Sequence, residues 1–299
     1  MFMPSTDLIT PGHRTCAGCG PAITIREVLR ATGPDVIICE ATGCMEVTTT
    51  PYPESSWKIP WIHVTFENAA SVASGVKAAL RTQGNNHTQV IALGGDGGMV
   101  DIGFGAVSGA LERNEDILII TYDNEAYANT GVQRSGATPY GASTTTSPAG
   151  TDSIGKPEWK KNLPMIAAAH GCKYVATASP AYPADLANKV KKALSIKGVK
   201  YMHILSPCPI GWRTESSQTI QIAKLAVTSG MWVLYEIENG LFKRTFTQKT
   251  MPVKEYLAPQ GRFNHLKDAD IAKIQEHVNS AWNALENLEK SGVNLIKIL

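Results

Sequence analysis

The sequence has almost no charge imbalance, no long apolar run and none of the common nucleotide signatures, and each lack closes a class of function. Lys and Arg number 28 and Asp and Glu 26, a formal net charge of +2 spread along 299 residues. A nucleic-acid-binding surface needs a basic excess gathered on one face, so no nucleic-acid partner is expected. No apolar run approaches the roughly 18 to 20 residues that a spanning helix needs, and the N-terminus lacks the basic and then apolar layout of a secretory leader. The expectation is a cytoplasmic protein with no membrane partner. No internal repeat stands out. A Walker lysine is missing, and the G-x-G-x-x-G dinucleotide pattern fails because Val100 stands where its third glycine would fall.

What is present is an α/β rhythm. With 43% hydrophobic and 18% charged residues, the chain has the length for one large domain or two small ones. Apolar runs of strand length at 36–39, 61–64, 90–93, 117–122, 174–176 and 201–205 alternate with helical patterns at 22–32, 68–82, 102–113, 183–197 and 216–229. That alternation predicts a mostly parallel sheet flanked by helices, with ligands beyond the carboxyl ends of the strands. The Lys160-Lys161 and Lys191-Lys192 pairs read as solvated faces.

One strand-end turn carries chemistry. The run Val90 to Leu93 stops at Gly95-Asp96-Gly97-Gly98, where glycines let backbone approach an anion and the next helix start offers free N–H groups. Asp96 can give Mg2+ a hard oxygen ligand, and Asn124, at the end of the next apolar run, can complete the shell. By itself a glycine-rich turn is also a plain turn. The pairing with Asn124, with 26 residues between it and Gly97, resembles thiamin diphosphate enzymes.

Cysteines carry the second signal. Cys16 and Cys19 lie in Cys-Ala-Gly-Cys-Gly, Cys44 follows Thr42-Gly43, and Cys208 lies between two prolines. Such flanks hold turns that aim thiolates at a common centre. Haem attachment fails because Gly20 stands where C-x-x-C-H needs histidine, and a thioredoxin-type disulfide should follow a strand. Structural zinc and an iron-sulfur cluster remain even on spacing alone. The neighbouring cofactor motif tips the balance to iron-sulfur. Cys39 and Cys172, in apolar settings, read as buried free thiols.

Taken together, Gly12 to Pro21, Ala41 to Cys44, Pro60 to His63, Phe66 to Ala70, Gly94 to Gly103, Asp123 to Gly131 and Cys208 to Trp212 closely resemble the beta subunits of 2-oxoacid:ferredoxin oxidoreductases, the pyruvate-acting members nearest. The resemblance runs through most of the chain and implies a thiamin diphosphate-binding fold with an N-terminal cysteine loop. It implies one [4Fe-4S] cluster on Cys16, Cys19, Cys44 and Cys208. It also implies Mg2+ on Asp96, Asn124 and the Ala126 carbonyl, with Gly95, Gly97, Gly98, Gly43 and Cys44 bordering the cofactor and Asn129 near the substrate. Residues 1–230 would form the diphosphate-binding domain and 231–299 a C-terminal arm packing on it or on partner subunits, with no firm second domain.

The implied reaction is reversible oxidative decarboxylation of pyruvate to acetyl-CoA and CO2, with ferredoxin and coenzyme A as partners alongside alpha, gamma and delta type subunits. Another 2-oxoacid, such as oxalate, 2-oxoisovalerate, 2-oxoglutarate or an aryl pyruvate, is the rival substrate. A non-catalytic electron-transfer or zinc-stabilised assembly subunit is the rival class. The family draws the glutamate that activates thiamin from its alpha subunit, so Glu46 and Glu67 read as polar or structural and the chain alone as inactive. His63 reads equally as a core histidine or a substrate contact. Residues 124–162, rich in Thr, Ser, Gly and Pro, read as an active-site loop, with a disordered surface loop the alternative.

Overall fold

The computed structural model describes residues 7–297, so the outermost residues of the 1–230 and 231–299 segments lie outside the description. Along the chain, α1 (Gly20–Thr32), β1 (Val36–Ala41), α2 (Cys44–Thr49), β2 (Trp61–Val64), α3 (Ala69–Thr82) and β3 (Gln89–Gly95) lead into a π-helical turn (Gly97–Ile102) and α4 (Phe104–Glu112). Then come β4 (Leu118–Asp123), a minimal hairpin of β5 (Ala149–Gly150) and β6 (Ser153–Ile154), α5 (Leu163–Ala169), β7 (Tyr174–Ala178), α6 (Pro183–Ser195) and β8 (Lys200–Leu205). The last elements are α7 (Pro209–Trp212), α8 (Thr219–Thr228), β9 (Tyr235–Glu238), β10 (Leu241–Arg244), α9 (Val253–Leu257) and α10 (Asp268–Ser291).

Strands buried on both faces read as continuous apolar runs, which is why β3 and β4 stood out in the sequence. They form the middle of an eight-stranded sheet ordered β10-β9-β7-β8-β4-β3-β1-β2, parallel except around β9. Alternate residues feed two cores. Ile91, Leu93, Leu118 and Ile120 pack with α1 and α6 on one face. Val90, Ala92 and Ile119 pack with α3, α4 and α5 on the other. Each fully buried Ile or Leu of this kind contributes about 1.5–3 kcal/mol.

The segment after residue 230 is less of an appendage than its sequence suggests. β9 pairs antiparallel with β7, and β10 with β9, so the segment extends the main sheet. A third core joins Leu205, Trp212 and Ile222 to Leu234, Tyr256 and Ile274 across that boundary. The loop after β4 also differs from a solvated excursion: apart from its hairpin it is irregular, yet Ser135, Ala137, Thr138 and Ala142 are buried. Lys156 threads into it and donates to the Thr138 carbonyl at 2.7 Å. No helix among the described residues is long and apolar enough to cross a membrane.

Topology dictates where a ligand can sit. The chain leaves β1 toward β2 at one edge and leaves β3 toward β4 in the other direction, so the connections part between β1 and β3. A crevice opens at the carboxyl ends of strands at such a switch point. Thr42 to Cys44 follow β1 there, and Gly95 to Gly98 follow β3.

Candidate functional site

The crevice is a narrow cleft bordered by Gly43, Cys44, Gly95, Gly97, Gly98, Asn124, Ala126 and Asn129. Asp96 lies fully buried at its base. These are the strand-end residues singled out in the sequence, gathered from three separate segments. Gly97 allows the closeness: a β-carbon there would stand 2.5 Å from the Tyr127 ring, nearer than any side chain tolerates.

Three oxygens converge at the base. The Asn124 side-chain oxygen lies 3.0 Å from Asp96 Oδ1 and 2.8 Å from the Ala126 carbonyl oxygen, and turning the amide over would convert both contacts to hydrogen bonds. An octahedral cation with ligands at about 2.0–2.1 Å sets neighbouring ligand oxygens about 2.9 Å apart. The spacing therefore matches the edge of a magnesium shell. Ser135 donates its hydroxyl to the other Asp96 oxygen, which fixes the carboxylate.

The surrounding charges leave room for a cation. Asp123 takes Lys160 Nζ at 2.6 Å and His203 Nε2 at 2.7 Å. Burial pushes its carboxyl up, but the Lys160 ammonium and His203 outweigh that and hold it at about 2. Glu125 takes Lys160 at 2.9 Å and Arg262 at 2.5 Å. Burial and then the adjacent Asp123 push the Asp96 carboxyl well up instead, by more than the Ser135 hydrogen bond and the charge of Lys160 lower it. Of these three carboxyl groups, Asp96, set between Gly95 and Gly97 of the cleft wall, is the one with no ion-pair partner among the described residues. His203 adds no permanent cation, because burial lowers its affinity for a proton.

Cys16, Cys19, Cys44 and Cys208 border one cavity of about 210 Å3. Three sit at helix starts: Cys19 caps α1, Cys44 opens α2 and Cys208 caps α7. Free N–H groups there favour thiolates, and Gly211 N donates to Cys208 Sγ at 3.2 Å. Gly20 brings the first pair to Cys208, because a β-carbon at that position would lie 2.3 Å from the Pro207 carbonyl. Burial pushes the Cys19 and Cys44 thiols up to about 12 and raises Cys208, so a metal centre would have to displace their protons. Among the described residues no three His, Cys, Asp or Glu side chains draw together as a shell for one ion. The cysteine cavity and the cleft share Cys44, Asn124, Ala128 and Asn129 as a common wall.

A family model described as thiamine pyrophosphate enzyme, C-terminal TPP binding domain, matches residues 41–204, from the end of β1 through most of β8. Pyruvate synthase subunit PorB of Methanothermobacter marburgensis is 53% identical over 286 residues, covering 95% of this chain and 99% of that protein. The chain belongs to the pyruvate synthase PorB family. Ketoisovalerate oxidoreductase subunit VorB of Pyrococcus abyssi is 40% identical, over 96% of this chain and 95% of its own length. Among solved structures, 2-oxoglutarate:ferredoxin oxidoreductase from Magnetococcus marinus superposes with a TM-score of 0.59 over 74% of this chain and 80% of that one. At 22% identity that likeness is one of fold. This PorB-family chain is therefore an enzyme subunit of the pyruvate synthase type.

Within the PorB-family chain, several residues stand elsewhere than their sequence suggests. Lys160 does not stand on a solvated face, since it joins Asp123 and Glu125, whereas Lys161 is exposed and reaches Asp101 at 2.7 Å and the Val100 carbonyl. His63 is exposed rather than a core histidine, bonding Thr42 at the rim of the cleft at 2.7 Å, with Glu46 3.8 Å away. Glu67 accepts a hydrogen bond from Thr65 at 3.4 Å. Cys39 and Cys172 are fully buried. The sequence carries no local signal for Ser135, Lys160, His203 or Arg262 as site residues. Only the acidic pair flanking Asn124 hinted that cations must come from somewhere.

Proposed function

We propose that this chain holds the diphosphate end of Mg2+-thiamin diphosphate in the cleft and a [4Fe-4S] cluster in the cysteine cavity. On this reading it is the beta-type subunit of an enzyme that oxidatively decarboxylates pyruvate to acetyl-CoA and CO2 and reduces ferredoxin, reversibly. Bound there, thiamin diphosphate would supply the nucleophilic carbon and electron sink for decarboxylation, and the cluster a one-electron acceptor. The chain's own part is placement. Asp96, Asn124 and the Ala126 carbonyl hold the cation, the Gly97–Ile102 turn offers backbone N–H groups to the diphosphate, and Asn129 stands where both cavities meet.

The observation that carries the reading is the common wall. It puts the four thiols within a few side chains of the oxygen set, as a cofactor and its electron acceptor require. Four thiolates suit zinc as well as a cluster, and the cofactor cleft on the other side of the shared wall favours the cluster. The chain supplies one diphosphate-binding fold, so the aminopyrimidine end of thiamin diphosphate would lie against another chain. Alpha, gamma and delta type subunits would complete the site and bring coenzyme A and ferredoxin into reach. The kinship to both PorB and VorB proteins keeps 2-oxoisovalerate as the second substrate reading, with pyruvate favoured by the higher identity.

The test is anaerobic purification of the assembled enzyme, with iron and thiamin diphosphate quantified and turnover measured on a panel of 2-oxoacids. Both cofactors should be present, pyruvate should turn over fastest, and the single chain should show no turnover. A colourless complex containing zinc would overturn the cluster reading. Gly97→Ala should raise the thiamin diphosphate dissociation constant about tenfold or more in calorimetry, because its methyl group would drive the Tyr127 ring into the cleft.

A further inference from the structure

The most elaborate polar construction in the molecule lies under the turn from Asp123 to Ala126. Glu125 has φ of 65°, a left-handed backbone that a residue with a β-carbon adopts reluctantly. The turn is held from every side but the cleft. Asp123 Oδ1 accepts the Glu125 N–H at 2.9 Å, Thr138 donates to the Glu125 carbonyl at 2.6 Å, and the Trp212 indole N–H donates to the Asn124 carbonyl at 2.8 Å.

Two cations tie this turn to distant parts of the chain. Lys160 spans Asp123 and Glu125, the residues on either side of Asn124. Arg262, from the short helical turn Gly261–Phe263, reaches the remaining Glu125 oxygen. Its guanidinium lies 4.0 Å from the Trp212 ring centre, over the same indole that holds Asn124, and Gln260 fixes it at 3.0 and 2.8 Å.

We propose that Lys160 and Arg262 are positioning residues for the cation: they lock the Asp123–Ala126 turn so that the Asn124 and Ala126 oxygens point at Asp96. Through Arg262, the segment after residue 230 then sets the magnesium affinity of a cleft it does not line. This rests on reading Asp96, Asn124 and Ala126 as the cation shell. Neither residue lines the cleft, so neither would touch a bound cation, and each sets the oxygen geometry through the turn. The sign of the effect separates positioning from bulk electrostatics. Removing the Lys160 charge makes the site more negative, which by itself would tighten a cation. Loss of positioning weakens it.

The experiment is a magnesium titration of thiamin diphosphate binding, by calorimetry, on the assembled enzyme stripped of cofactor. Arg262→Lys should raise the half-saturating Mg2+ concentration about tenfold and Lys160→Met more, within the range seen when partners behind metal ligands are lost. Excess Mg2+ should restore binding in both, and Arg262→Lys combined with Glu125→Gln should be no weaker than Glu125→Gln alone. An unchanged or lowered Mg2+ requirement in Arg262→Lys and Lys160→Met would overturn the inference. Should Lys160→Met fail to assemble, Arg262→Lys and Glu125→Gln decide it by the same readout. A parent complex that binds no thiamin diphosphate at any Mg2+ concentration would overturn the cofactor reading itself, and this inference with it.

Discussion

Asp96→Asn is expected to weaken magnesium-dependent binding of thiamin diphosphate to the assembled enzyme by about a hundredfold or more, and to lower turnover in step. Asp123 and Glu125 make ion pairs, whereas Asp96 makes none among the described residues, and its Oδ1 faces the Asn124 oxygen at 3.0 Å. An amide there keeps the shape but removes the charge and brings an N–H that Asn124 can accept. The shell then satisfies itself and has little use for Mg2+, a small cation that gives up its water only to strong oxygen ligands. Calorimetry with and without Mg2+ checks this. Asp116→Asn is the matching control. Asp116 lies just before β4, at the opposite end of the sheet, with Lys200 at 3.1 Å and Lys77 at 3.5 Å. Its loss should lower thermal stability and leave the cofactor dissociation constant unchanged.

The second large effect concerns iron. Serine at Cys16, Cys19, Cys44 or Cys208 should strip most of the iron from the complex and its visible absorbance, because a hydroxyl deprotonates far less readily than a thiol and binds iron more weakly. Cys208→Ser should be among the most damaging, since this residue also caps α7 and holds Gly211. Alanine at Cys39 or Cys172 should leave the iron content intact and cost about 1 kcal/mol of stability through a small core void. Both thiols are buried away from the four that share the cavity. Iron retained in all four serine variants, or lost with Cys39→Ala, would sink the assignment.

The contrast between Asp96 and Lys160 shows why one was legible and the other was not. Asp96 sits in a strand-glycine-helix pattern whose geometry is local, so neighbours in sequence announce its surroundings. Lys160 follows a long irregular loop, where two adjacent lysines resemble any solvated pair; its partners are 37 and 35 residues earlier in the chain. Arg262 is further removed, at 137 residues from Glu125. The helix boundaries show the same divide. The helix read over 102–113 begins instead as a π-helical turn at Gly97, because β3 passes directly into backbone that must face the cleft.

The sequence by itself determined the alternation of strands and helices, the strand-end turn at Asp96 and the four flanked cysteines, since each depends on short-range periodicity or on glycine and proline at fixed offsets. Only the tertiary structure decided that β9 and β10 complete the main sheet, that the loop after β4 is packed rather than solvated, and that Lys160 and Arg262 stand behind Asn124. Those outcomes depend on which buried charges and apolar faces find one another across tens of residues and, for Arg262 and Glu125, 137 residues. Desolvation enforces that pairing only once the chain has closed.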